Sequence, residues 1–192
     1  MVYIAVDNGV TGTVGIIDKQ GVGHLFPTPV KTALNYQKTK VKHITRIDVG
    51  AFRALLQPFI YKSGSLYHTD NKLPIKVAIE RPYTSTSSDG KGKFRINYDA
   101  MMSGMRALEA TLIVLESLGL GYEFMDSKDW QKKQLPYISV ADKKDYPAKL
   151  KQVSREVGMR LYPNIDWSKF KDGDGILIAR QLQQNNIGNN NV

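Results

Sequence analysis

Val2-Tyr3-Ile4-Ala5-Val6-Asp7-Asn8-Gly9-Val10-Thr11-Gly12-Thr13-Val14-Gly15-Ile16-Ile17 is the stretch whose reading decides the fold. Val2 to Val6 is an unbroken apolar run of strand length, and it ends on an acid. A turn-rich Asn8-Gly9-Val10-Thr11-Gly12 follows, and the β-branched segment Thr13 to Ile17 returns before stopping at Asp18-Lys19-Gln20-Gly21. Two such runs joined by a short glycine loop predict a hairpin. Gly23 to Val30 supplies a third strand, and Pro27 and Pro29 confine it to an edge because proline cannot donate to a ladder.

Working outward, residues 31 to 47 carry Lys31, Lys38, Lys40, Lys42 and Arg46 and read as a basic loop. Asp48 caps a predicted helix with Phe52, Leu55, Leu56 and Phe59 on one face, and Pro58 marks an early stop. Ile75 to Ile79 is a buried strand halted by Glu80-Arg81-Pro82. Residues 84 to 93 form a low-complexity, flexible patch. A helix is then expected from Asn97 to Leu118, with Met101, Met105, Leu108, Leu112 and Leu115 at core spacing. Tyr122 to Met125 is a short strand, Pro147 to Leu161 a basic amphipathic helix, and Gly175 to Gln184 a last apolar-faced helix. The Asn-rich tail, Asn185 to Val192, is expected to be disordered. The order is β-β-β-α-β-α-β-α-α. This is an α/β chain whose mixed central sheet contains an N-terminal antiparallel meander, with residues 1 to 184 forming a single domain.

Composition narrows the function. The 192 residues include no cysteine, which excludes a disulfide scaffold, a thiolate metal site and a cysteine nucleophile. No segment approaches the roughly 20 apolar residues of a membrane helix, and no secretory signal is legible. A cytoplasmic location is therefore expected. Lysine and arginine number 27 against 18 acids, a net charge of +9, which favours a polyanionic partner, nucleic acid first. His24, His43 and His68 are too scattered for a zinc site or a general base.

The acids carry the chemistry. Asp7 ends the first strand, Glu80 ends the strand after the first helix, and Asp172 and Asp174 open the last helix. Alone, Asp7 is a turn residue, Glu80 a partner for Arg81, and Asp172 and Asp174 are helix caps. Together they define another possibility. Two carboxylates about 5 Å apart repel by about 3 kcal/mol at an effective dielectric of 20, so converging acids call for a cation. Oxygen ligands suit Mg²⁺ or Mn²⁺.

The segments Ile4-Ala5-Val6-Asp7-Asn8-Gly9, Val77-Ala78-Ile79-Glu80-Arg81-Pro82 and Asp172-Gly173-Asp174-Gly175-Ile176-Leu177-Ile178-Ala179 resemble the acidic motifs of RuvC-type Holliday junction resolvases, the phage-encoded branch above all. The resemblance spans roughly residues 1 to 182. It implies an RNase H-like fold, a homodimer, two Mg²⁺ ions (Mn²⁺ substituting) held by Asp7, Glu80, Asp172 and Asp174, and nicking of branched DNA in a bacterial host. No small-molecule cofactor is implied. One departure stands out. The family separates its last two acids by about one helical turn, whereas here they are two residues apart, a spacing that does not put both on one helix face. Either Asp172 reaches in from the loop before the helix, or one of the pair is not a ligand.

Candidate DNA contacts are Lys128, Lys132 and Lys133 beside Trp130, then Lys143, Lys144 and Lys151 with Lys149 and Arg155 on the basic helix, and Lys91, Lys93 and Arg95 flanking Phe94. Phe94 is read either as an aromatic that stacks on an opened base or as a staple for the following helix. Trp130 is read as either core or contact. Three other functions fit parts of the pattern: a nuclease for RNA–DNA hybrids or RNA, an inactive junction-binding protein, and an actin-like or sugar-kinase ATPase. The last shares the hairpin but needs two such domains.

Overall fold

The computed structural model describes residues 1–35, 43–61, 72–82, 86–88, 94–96, 98–139 and 145–189, of which 86–88, 94–96 and 189 are described by their backbone alone. Its centre is a five-stranded sheet built from β1 (Val2–Val6), β2 (Thr13–Ile17), β3 (Gly23–Pro27), β6 (Ile75–Glu80) and β9 (Glu123–Met125) in the order β3-β2-β1-β6-β9. The first three are an antiparallel meander, while β1, β6 and β9 run parallel. With helices on both faces, this is the α/β architecture anticipated from the sequence, a mixed central sheet with an N-terminal antiparallel meander.

Each face of β1 meets a different set of helices, because successive side chains point to opposite sides of a strand. Val2, Ile4 and Val6, with Val14, Ile16, Val77 and Ile79, pack on α1 (Val49–Ile60) and α2 (Tyr98–Ser117). Tyr3, Ala5, Ile17 and Ala78 pack on α3 (Ser127–Gln134), α4 (Tyr146–Leu161) and α5 (Asp174–Asn189). On this second side the register sets Ala5 between Gly15 and Ala78. That row of small residues forms a shallow trough, and α5 lies in it. A Cβ added at Gly15 would come 2.2 Å from the carbonyl carbon of Gly175, and one at Gly175 would come 2.8 Å from Thr13 Oγ1. Glycine is required at both places because backbone meets backbone there.

Several expectations are corrected. Residues 31 to 47 are not simply a loop: β4 (Val30–Leu34) and β5 (His43–Ile47) pair antiparallel as a separate two-stranded ribbon. Asp48 caps α1 as expected, its Oδ1 accepting from the amide of Ala51 at 3.1 Å, but the helix runs through Pro58 to Ile60. The proline removes the bond that an N–H at this position would give to the carbonyl of Ala54, and the helix ends two residues later. In the low-complexity region, β7 (Thr86–Ser88) and β8 (Phe94–Ile96) form a short antiparallel pair. The helical stripe on α2 is core only in part. Leu108 and Leu115 are buried with Val114, whereas Met105 is exposed and lines an open surface cavity with Arg46, Ile47 and Val49. The last helix continues to Asn189, five residues beyond the expected Gln184, so residues 185–189 are helical where a tail was expected. Among the described residues, no helix is long and apolar enough to cross a membrane.

The glycine contact and an open helical glycine give opposite expectations. Gly15→Ala should destabilise the protein by about 3 kcal/mol, since neither backbone can retreat. Gly104→Ala, where a Cβ meets nothing within 4 Å, should stabilise by about 0.5–1 kcal/mol through helix propensity. Urea unfolding of the two variants checks both signs.

Candidate metal centre

Parallel pairing of β1 with β6, in which Val6 faces Ile79, delivers Asp7 and Glu80 to the same edge of the sheet. Asp7 is held by a hydrogen bond from its amide to the carbonyl of Thr13 at 2.9 Å. The returning loop passes so close that a Cβ at Gly12 would lie 2.1 Å from the Asp7 carbonyl oxygen. The trough on the other side brings α5 in by its N-terminus, so Asp174, its first residue, points at the same place. Asp172 precedes the helix and reaches in from the loop, which is one of the two possibilities the two-residue spacing left open.

One carboxylate oxygen each from Asp7, Asp172 and Asp174 lie within 4.8 Å of one another. Glu80 adjoins them through a hydrogen bond to Asp7. Its Oε1 also accepts from the indole Nε1 of Trp130 at 2.9 Å. The loop carrying Asp172 is fixed from α4. Ser154 Oγ accepts from the amide of Gly173 at 3.1 Å, and Arg155 donates to the carbonyls of Phe170 and Trp167, both at 2.9 Å. Lys151 Nζ lies 2.9 Å from Asp172 Oδ2.

Charge is in excess here. Burial, followed by the charge and hydrogen bond of Glu80, raises Asp7 well above the usual carboxylate range. Burial also raises Glu80, against the opposing pull of the Trp130 hydrogen bond. Asp174 is pushed up to about 7 by burial and then by the charges of Asp172 and Asp7. Partial burial works to lower Lys151, but the hydrogen bond and charge of Asp172 outweigh it and hold the ammonium above its usual value. Asp172 Oδ1 and Asp174 Oδ1 are buried without a hydrogen-bond partner. A buried carboxylate oxygen with no donor is costly, and an all-oxygen set of this kind is the donor chemistry of a hard divalent cation. The residues present fit such an ion.

The predicted DNA contacts divide by location. Lys128, Lys132 and Lys133 are exposed on α3, while its buried residues are Trp130 and Gln134. Lys151 bonds to Asp172 and keeps about half its side chain in solvent. Arg155 is not a free basic group, since both of its bonds go to main-chain carbonyls. Lys91, Lys93, Lys143 and Lys144 lie outside the described residues, as do the side chains of Phe94 and Arg95. Sequence reasoning missed Trp130 as a neighbour of Glu80, and it missed Ser154 and Thr13. A tryptophan inside an otherwise polar helix was a legible signal for the first; nothing marked the other two.

Compared by sequence, the chain matches no family model and no curated protein. Compared by structure, it is similar to Thermus thermophilus RuvC in complex with Holliday junction substrate, with a TM-score of 0.46 and 12% identity, covering 93% of this chain and 87% of that one. A second Thermus thermophilus RuvC structure gives a TM-score of 0.39 at 12% identity, covering 93% and 89%.

The raised carboxyls make stability depend on pH and metal together. Below about pH 4 Asp174 is protonated in both folded and unfolded chains. Between there and about 7 only the unfolded chain ionises, so metal-free stability falls as pH rises and the loss is complete above 7. Thermal unfolding should show this decline, with Mg²⁺ raising Tm more at pH 8 than at pH 5. Asp174→Asn should raise the metal-free Tm at pH 8 and remove most of the metal response.

Proposed function

We propose that this chain is a divalent-metal-dependent endonuclease that nicks branched DNA, four-way junctions foremost, acting as a homodimer. The observation that carries the reading is the meeting of Asp7, Asp172 and Asp174 beside Glu80, with two buried carboxylate oxygens left unpartnered. Preference for branched DNA rests on the resemblance of the three acidic motifs to those of RuvC-type resolvases. The polyanionic partner is supported by the net charge of +9 and by exposed lysines on α3.

In this reading Asp7, Glu80, Asp172 and Asp174 hold Mg²⁺, or Mn²⁺ in its place, as a pair of ions. Bound in that way, the ions supply activation of water and stabilisation of the leaving oxygen in phosphodiester hydrolysis, leaving 5′-phosphate and 3′-hydroxyl ends. The chain's own residues do the rest. Asp7 and Glu80 are presented by rigid strand ends, and Asp174 by the start of a helix that cannot slide because glycine meets glycine beneath it. Lys151 balances part of the charge of Asp172 and keeps about half of its side chain in solvent beside the centre. Lys128, Lys132 and Lys133 bind phosphate, so affinity falls with salt. Selectivity among DNAs comes from the open shape of a branch that the two sites of a dimer can span.

The deciding experiment is cleavage of a labelled four-way junction beside matched linear duplex and RNA–DNA hybrid, with Mg²⁺, Mn²⁺ or EDTA. Paired nicks confined to the junction and lost in EDTA are expected. Asp7→Asn should reduce cleavage by about 10³-fold or more while junction affinity holds or rises, because a negative charge beside phosphate is removed. Cutting of the hybrid instead would keep the centre and change the substrate. Junction binding without cleavage in either metal would establish an inactive binding protein.

A further inference from the structure

α3 has the sequence Ser127-Lys128-Asp129-Trp130-Gln131-Lys132-Lys133-Gln134, in which Trp130 is the single apolar side chain. A helix this polar has no hydrophobic face with which to dock. It is held by one indole, fully buried in the cluster that includes Ala78, Met125 and Ile176, and at its other end by buried Gln134, which donates to Gln181 and accepts from Arg180 on α5. The one polar atom of that indole is directed at Glu80 Oε1, 2.9 Å away. A further grip lies alongside: the amide of Arg81 donates to the carbonyl of Met125 at 2.9 Å, and Arg81 Nε lies 2.8 Å from Asp126, the residue that caps α3. Both the backbone and the carboxylate at the end of β6 are thus tied to the start of α3.

Indole N–H is a donor only. It occupies one of the two oxygens of Glu80 and leaves the other free of it. Each carboxylate oxygen has two lone-pair directions, so chelation of a single ion through both oxygens would make Oε1 serve the ion and the indole at once, weakening the bond on which this fully buried N–H depends. Mg²⁺ takes single oxygens in near-octahedral geometry, while Ca²⁺ accepts six to eight oxygens and readily chelates a carboxylate through both. We propose that Trp130 is a positioning residue that restricts Glu80 to one-oxygen coordination and so tunes the centre toward Mg²⁺ and Mn²⁺ and against Ca²⁺. The inference rests on Glu80 being a metal ligand, as in the function proposed above.

The test is calorimetric titration of the full chain with MgCl₂, MnCl₂ and CaCl₂ at pH 8, comparing wild type with Trp130→Phe, which keeps the ring and deletes the donor. Trp130→Phe is expected to bind metal still, with its Mg²⁺-to-Ca²⁺ affinity ratio shifted about tenfold toward Ca²⁺, the scale of one charged hydrogen bond. A merely structural tryptophan would lower Tm and leave that ratio unchanged, which overturns the inference alone. No metal binding by wild type overturns the metal centre and this inference with it. A second arm leaves Trp130 in place. The chain has two tryptophans, so an indole-labelled ¹H–¹⁵N spectrum contains two side-chain signals, assigned by Trp167→Phe. The Trp130 signal should stay downfield and protected from exchange at saturating Mg²⁺, and lose protection with Ca²⁺. Identical protection in the two ions overturns the proposal even if Trp130→Phe does not fold.

Discussion

Four carboxyl groups crowded together away from water are the constraint around which this molecule is arranged. Each would be unremarkable on the surface. At the meeting point of two parallel strand ends and a helix start they repel by about 3 kcal/mol per close pair, and burial adds to the cost of every charge. The folded chain meets this in several ways. Protons stay on Asp7 and Asp174 to higher pH than usual, Lys151 neutralises Asp172, and Trp130 donates to Glu80. What remains uncompensated is a pair of carboxylate oxygens with no donor. The cost to the empty fold and the capacity to hold a cation are therefore the same physical fact.

Much of this was legible in the amino-acid order because both faces of the sheet are covered. Continuous apolar runs such as Val2 to Val6 and Val77 to Ile79, each ended by an acid, mark strand and site together. The ribbon of β4 and β5 left no such trace. Most of its side chains face solvent, so no hydrophobic pattern distinguishes it from a basic loop. Periodicity along α2 was real but silent about which part of that stripe is covered, so Met105 reads as core and instead lines an open surface cavity. The spacing of Asp172 and Asp174 looked anomalous only under the assumption that both are helical. A loop residue obeys a different geometry, and this one is set by contacts with Ser154 and Arg155 that lie far off in the sequence.

Strand direction matters as much as burial. Were β6 antiparallel to β1, Glu80 would emerge at the opposite end of the sheet from Asp7, and no loop rearrangement would reunite them. Parallel pairing sends β1, β6 and β9 out on one edge, so the chain leaving β9 enters α3 beside Glu80 and presents Trp130 to it. The face packed on α1 and α2 contributes apolar residues to its core and none of the four acids, leaving the side with α3, α4 and α5 to carry the chemistry.

The start of α5 adds a further constraint. A helix N-terminus carries partial positive charge and unpaired amides, which favour nearby carboxylates. If those amides bonded to the acids, the oxygens would be satisfied and a cation would have little to gain. Here they are engaged elsewhere: the amide of Gly175 donates to Thr13 Oγ1 at 3.0 Å and that of Gly173 to Ser154 Oγ at 3.1 Å. The two hydroxyls take up the donors that Asp172 and Asp174 could otherwise have claimed. The field of the helix still acts on the carboxylates, easing their charge, while Asp172 Oδ1 and Asp174 Oδ1 stay open. Ser154, itself a hydrogen-bond partner of the Asp174 side chain, and Thr13 accept these two amide bonds, and Asp172 Oδ1 and Asp174 Oδ1 are left available to a metal.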